Sequence, residues 1–109
     1  MIDTVVITRH KGAVDWLVRH GWIRLENTRV VAHATKEDIL SAPKVFGVLP
    51  LHLAGIARNV YSIDVPNLPE EKRGQELTAD EMDDYQACVV KYFIQTVMTG
   101  QTDGWYAQP

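Results

Sequence analysis

The first part of the chain constrains the fold more than any other. Thr4–Ile7 is an uninterrupted run rich in β-branched residues, which is typical of a strand buried on both faces. A polar turn follows at Thr8–Gly12, and Trp16 and Leu17 then lie on the apolar stripe of a helix predicted over Ala13–Arg19. A strand, a turn and a helix in this order form the first half of a βαβ unit. The order therefore predicts a parallel sheet.

The alternation of strands and helices continues along the chain. Further strands are predicted at Arg29–Ala32, Lys44–Leu49 and Val60–Ile63, with helices after Thr35 and over Leu51–Arg58. We expect one α/β domain over residues 1–100, Rossmann-like, with a mainly parallel sheet of about four strands and right-handed crossovers. Residues 101–109 are expected to form a tail.

The carboxyl-terminal third predicts the longest helix. Thr78 and Glu81 have the spacing of a capping box. Apolar side chains then recur at helical spacing up to Gly100, at Met82, Tyr85, Val89, Tyr92, Phe93 and Val97. On this interpretation Cys88 is a buried packing residue rather than a nucleophile, and the aromatic residues belong to the helix core.

Composition excludes several classes of protein. The net charge of -3 over 109 residues disfavours a general coat for DNA or RNA. The single cysteine allows no internal disulfide and no cysteine-based zinc site. No signal peptide and no apolar run long enough to cross a membrane is visible, so we expect a cytoplasmic protein. The glycines of the dinucleotide-binding and P-loop motifs are absent, so no such cofactor is expected.

The predicted strands end at four places, namely Thr8–Gly12, His33, Leu49–His52 and Asp64. The carboxyl ends of parallel strands meet at one edge of the sheet, where ligands of open α/β sheets bind. Thr8–Gly12 offers a hydroxyl, two cations, an imidazole and free helix N–H groups, which together suit an anion. The alternative is a solvated turn in which Thr8 caps the helix and Lys11 points to water.

The other candidates have similar alternatives. His33 and His52 are candidates for acid/base or phosphate-contacting groups. A metal site built from His10, His33 and His52 is not supported by the spacing of metal-ligand motifs, so no metal ion is expected. Asp64 can orient a ribose hydroxyl or pair with an arginine.

The charged stretch that contains Lys72 and Arg73 is either a solvated loop or a phosphate clamp over the site.

Four segments resemble a small CRISPR-associated family, the Csx-sixteen proteins. They are Val6–Trp16, Val30–His33, Gly47–Pro50 and Arg73–Asp80, so the similarity spans roughly residues 4–92. His52 departs from the family pattern, where an amide residue is expected.

The resemblance implies an accessory protein of type III CRISPR systems that cleaves a cyclic oligoadenylate messenger, with cyclic tetra-adenylate as the expected ring. It implies a metal-independent ring nuclease that acts as a homodimer. In this interpretation Arg9, His10 and His33 are catalytic. The substrate-binding residues are Thr8, Lys11, Gly12, Leu49, Pro50, His52, Asp64 and Arg73.

Two other functions stay open. The first is a protein that binds the cyclic nucleotide without cutting it. The second is an interaction subunit of a CRISPR complex, with Trp105 and the tail as the contact.

Overall fold

The computed structural model describes residues 2–97, and within them five strands form one sheet in the order β2-β1-β3-β4-β5. The strands are β1 (Thr4–Ile7), β2 (Thr28–Val31), β3 (Lys44–Phe46), β4 (Val60–Asp64) and β5 (Cys88–Tyr92). The helices are α1 (Lys11–Arg19), α2 (Lys36–Ser41), α3 (Leu51–Ala54) and α4 (Ala79–Asp84), with 3-10 turns at Leu25–Asn27 and Glu70–Lys72. The predicted helix end at Gly100 and the tail with Trp105 lie outside the described residues.

β1 lies in the interior of the sheet and pairs in parallel with β2 and with β3. From β1 the chain passes through α1 to β2 on one side, and then returns past β1 through α2 to β3 and through α3 to β4. Right-handed crossovers consequently bring α1 to one face and α2 and α3 to the other. The mainly parallel α/β sheet predicted from the sequence is confirmed. The connection that leaves β1 runs towards one edge of the sheet and the connection that leaves β3 runs towards the other, so the direction of connection reverses between β1 and β3.

The main core lies between α1, α4 and one face of the sheet. Its buried members are Val6, Trp16, Leu17, Ile23, Phe46, Ala79 and Met82. Strand alternation turns Val5 and Val45, both fully buried, to the opposite face. That is the face to which the crossovers bring α2 and α3.

The prediction of one long helix after Thr78 is wrong. The capping box exists, but α4 ends at Asp84, and Gln86 reverses the chain with a positive φ of 59°. Cys88–Tyr92 then pairs antiparallel with β4. Pairing supplies backbone hydrogen bonds to an edge that β4 would otherwise leave open, and this outweighs the helical spacing of the apolar residues.

Side-chain environments change with this correction. Cys88 is exposed at the start of β5 rather than buried in a helix. Tyr92 and Phe93 are exposed, the latter by 89%, so they are not helix core.

Two other predicted elements are shorter in the structure. β3 ends at Phe46 instead of Leu49, because Gly47 adopts a φ of 144° that breaks the strand. The helix predicted over Leu51–Arg58 is only Leu51–Ala54.

A polar cluster joins α1 to α4 beside the core. The indole Nε1 of Trp16 donates to Asp83 over 2.9 Å, and the guanidinium of Arg19 donates to Asp80 and Asp83 over 2.9 Å each. The Nε2 atom of His20 lies 2.7 Å from the same Asp83 carboxylate. Hydrogen bonds from Arg19 first, and then from His20 and Trp16, lower the pKa of Asp83 below its usual value.

We predict that the folded state loses stability in acid through Asp83. Its pKa is lower in the folded than in the unfolded chain, so the stabilisation is complete above the unfolded pKa and is lost as the pH falls through the folded pKa. The free energy of unfolding, measured by urea denaturation from pH 6 to pH 3, should therefore decrease. Asp83→Asn should be less stable at pH 6 and show a smaller decrease, and an unchanged slope would contradict the prediction.

Candidate functional site

The carboxyl edge of the sheet, where β1 to β4 end, carries a cavity at the point where the direction of connection reverses. It has a volume of about 250 Å³ and lies between the ends of β1, β3 and β4 and the start of α1. Its wall is mostly apolar, with Thr8, His10 and Ser62 as the polar side chains. Ligands in open α/β sheets bind at such a reversal, outside the carboxyl ends of the strands.

Two sequence-predicted residues meet beside this cavity. The Nη2 atom of Arg9, just after β1, lies 2.7 Å from Nε2 of His33, which follows β2. A guanidinium can only donate, so Nε2 of His33 accepts and the neutral ring carries its hydrogen on Nδ1. The contact holds the cation at the carboxyl edge, with both side chains exposed.

The turn between β1 and α1 is held by its own side chains. The hydroxyl of Thr8 accepts from the backbone N–H of His10 over 3.0 Å, so it shapes the turn. His10 is the N-cap residue of α1, and among residues 2–97 no side chain caps the first N–H groups of the helix. These N–H groups carry the positive end of the helix dipole. Lys11 pairs with Asp15 over 2.7 Å along the exposed face of α1.

The segment that leads into α4 crosses the start of α1. A Cβ atom at Gly12 would lie 1.8 Å from the backbone oxygen of Leu77, so only glycine fits. One residue earlier, Oε1 of Glu76 lies 3.4 Å from Nδ1 of His10. Sequence reasoning attached no role to Glu76, and the only sequence signal is its place in the motif that follows Arg73.

The remaining predicted residues lie at different distances from Arg9, His10 and His33. Leu49, Pro50 and His33 line a second cavity of about 250 Å³. It lies at the carboxyl edge, between the end of β1 and the segments that follow β2 and β3. Asp64 lies at the end of β4, where Ser62 Oγ is 3.5 Å from its carboxylate.

Within the part of the chain that the structure describes, His52 and Arg73 make no hydrogen bond or ion pair with Arg9, His10 or His33. His52 is exposed in the first turn of α3. Arg73 is exposed at the end of the second 3-10 turn, and its side chain has no hydrogen bond or ion pair within residues 2–97. Both stay predictions.

A metal centre has no geometric support in the described part of the chain, residues 2–97. No group of three or more His, Cys, Asp or Glu side chains there is arranged to hold an ion. A further cavity of about 250 Å³ lies at the opposite, amino edge, lined among others by Trp22, Arg24 and Lys44. That edge carries the amino ends of the parallel strands β1 and β3. Because ligands of open α/β sheets bind outside the carboxyl ends of the strands, we assign the candidate site to the carboxyl edge.

The fold and the site define an open α/β sheet protein with a cation, two imidazoles and the first turn of a helix at its carboxyl edge. Residues 5–95 match the model of a family described as "Putative CRISPR-associated protein (Cas_VVA1548)". The chain belongs to this CRISPR-associated family. Neither the curated proteins nor the solved structures contain a match to the chain. Within residues 2–97, every helix is too short or too polar to cross a membrane.

We predict that Gly12→Ala destabilises the fold. Alanine is favoured over glycine inside a helix by about 1 kcal/mol. The new methyl group would collide with the backbone oxygen of Leu77, and overpacking of this kind costs about 1–3 kcal/mol. The free energy of unfolding should therefore decrease, whereas Lys11→Ala in the same turn should change it by about 0.5 kcal/mol or less. An increase for Gly12→Ala would show that the segment does not lie against α1.

Proposed function

We propose that this protein is a ring nuclease that cleaves a cyclic oligoadenylate, with cyclic tetra-adenylate as the expected ring, and so ends type III CRISPR signalling. The observation that carries the proposal is the contact of Arg9 with His33 at the carboxyl edge, beside the first N–H groups of α1. This arrangement suits a phosphodiester, because it offers a fixed cation and backbone donors to one phosphate. Membership of a CRISPR-associated family supports the antiviral setting.

The proposed reaction uses the ribose of the substrate as its nucleophile. The 2′-oxygen forms a bond to the adjacent phosphorus, and the bond from phosphorus to the 5′-oxygen breaks. The products carry a 2′,3′-cyclic phosphate and a 5′-hydroxyl. His10 takes the proton of the 2′-hydroxyl, and the 5′-oxygen takes a proton from water.

The groups around the turn between β1 and α1 stabilise the negative charge of the transition state. Arg9 and the first N–H groups of α1 would face the phosphorane oxygens, while His33 keeps Arg9 in place. Thr8, Lys11 and Gly12 belong to this turn, and Leu49, Pro50, His52, Asp64 and Arg73 are proposed contacts to the rest of the ring. The proposed reaction needs no metal ion.

A homodimer fits this proposal. Val48 lines the cavities beside the site and is 88% exposed, and the nearby Leu51 is 77% exposed. Such an apolar rim is suited to contact with a second copy. Two copies related by a two-fold axis would present the same groups to opposite phosphates of a two-fold symmetric ring.

The finer assignments follow from the same proposal. The domain would be a Rossmann-like fold of the CARF type, with β5 as an antiparallel edge strand. It would act in the cytoplasm, where a CRISPR messenger is made and removed.

The proposal is tested by incubating the protein with labelled cyclic tri-, tetra- and hexa-adenylate in EDTA and separating the products. We expect one ring to be opened. Arg9→Ala should lower the cleavage rate by about 10²–10³, because one stabiliser of the transition-state charge is lost. Arg24→Ala, at the opposite edge, removes the same charge and should retain the wild-type rate.

Two results would contradict the proposal. Rings that bind tightly and stay intact would identify a protein that sequesters the messenger. Rings that neither bind nor change would favour an interaction subunit.

Equal rates for Arg9→Ala and Arg24→Ala would remove Arg9 from the site.

A further inference from the structure

We infer that Glu76 is a positioning residue for His10, fixing which ring nitrogen of the imidazole is free to take a proton. The inference rests on the proposed function for its chemistry. Its structural basis is the distance of 3.4 Å between Glu76 Oε1 and His10 Nδ1. The two residues are far apart in the sequence and meet where β1 passes into α1.

The segment that carries Glu76 is fixed on both sides. Behind it, Lys72 Nζ lies 3.3 Å from Glu81 Oε2, and ahead of it the backbone N–H of Thr78 donates to Glu81 Oε1 over 3.0 Å. In between, the backbone of Leu77 lies against Gly12 so closely that no Cβ fits. These contacts hold the backbone next to Glu76, so its carboxylate approaches His10 without reliance on a flexible loop.

The chemistry of the pair assigns the imidazole hydrogen. A carboxylate only accepts hydrogen bonds, so of the two neutral tautomers of His10, Glu76 favours the one with hydrogen on Nδ1. Nε2 is then left with its lone pair, which is the form that a general base needs. The contact of 3.4 Å joins two exposed side chains and is not yet a hydrogen bond in this structure. Catalytic contacts are often long before substrate binds and shorten in the complex.

Other charges around His10 do not compete for Nδ1. Lys11 and Asp15 pair with each other along α1 over 2.7 Å, and Arg9 is turned to His33. Glu76 is the carboxylate in contact with His10 among residues 2–97. The pair thus has the geometry of a base and its orienting group, with Glu76 acting through His10 and not on the substrate.

The test combines kinetics with a spectroscopic signature of the tautomer. Long-range ¹H–¹⁵N correlation spectra of the neutral imidazoles, assigned with His10→Ala, report which nitrogen carries the hydrogen. We expect the Nδ1–H form of His10 in the wild type and in Glu76→Gln, whose side-chain oxygen also accepts. In Glu76→Ala the ring should shift towards the Nε2–H form, with kcat lower by about tenfold to a hundredfold and KM little changed.

Glu70→Ala is the matched control, because Glu70 is an exposed carboxylate on the 3-10 turn that precedes the same segment. It should retain the wild-type tautomer and kcat. If the wild type cleaves rings and Glu76→Ala is as fast as Glu70→Ala with an unchanged tautomer, the inference is wrong while the proposed function stands. If the wild type cleaves no ring, the proposed function fails, and the tautomer comparison still decides whether Glu76 orients His10.

Discussion

The burial of β1 between two parallel neighbours is the constraint on which the rest of the structure depends. Thr4, Val5 and Val6 are almost inaccessible to solvent, and their backbone groups bond to β2 on one side and β3 on the other. A strand in this position can only continue outward, so Thr8 and Arg9 emerge at the carboxyl edge. The connection that leaves β1 and the one that leaves β3 run in opposite directions, so a cavity forms between the ends of the two strands. The location of the candidate site is therefore a consequence of the sheet order.

The first half of the fold could be predicted from the sequence because local signals agree with the tertiary structure there. Thr4–Ile7 is apolar on both faces, and the apolar stripe through Trp16 and Leu17 faces the core that α1 helps to build. Thr35 and Asp38 form the capping box that their spacing indicates. In each case the local sequence pattern predicts both the type of element and which of its faces are buried or exposed.

The carboxyl-terminal third could not be predicted in this way, because its local pattern fits two structures. The apolar residues from Met82 onward have helical spacing, yet the β-branched Val89 and Val90 also suit a strand. The unpaired edge of β4 decides between them, and that edge is not visible in a local window. The break falls at Gln86, a residue type that gives no turn signal, although its φ is positive.

The composition of the site was accessible from the sequence, but its contacts were not. Arg9, His10 and His33 follow predicted strands, so their convergence at one edge could be expected from topology. The contact between Arg9 and His33 spans 24 positions, and that between His10 and Glu76 depends on how a loop crosses the start of α1. The close approach of the Leu77 backbone explains why position 12 is glycine. Such a role follows only from the packed structure.

The central claim is that the ligand binds at the carboxyl edge where β1 and β3 end. The most direct test is a titration of the ¹⁵N-labelled protein with cyclic tetra-adenylate, followed through the chemical shifts of the backbone amides. The account predicts shifts centred on Thr8–Gly12, His33 and Gly47–Val48, with the amides of Trp22 and Lys44 at the opposite edge little changed. Shifts centred on the opposite edge, or none at all, would contradict it.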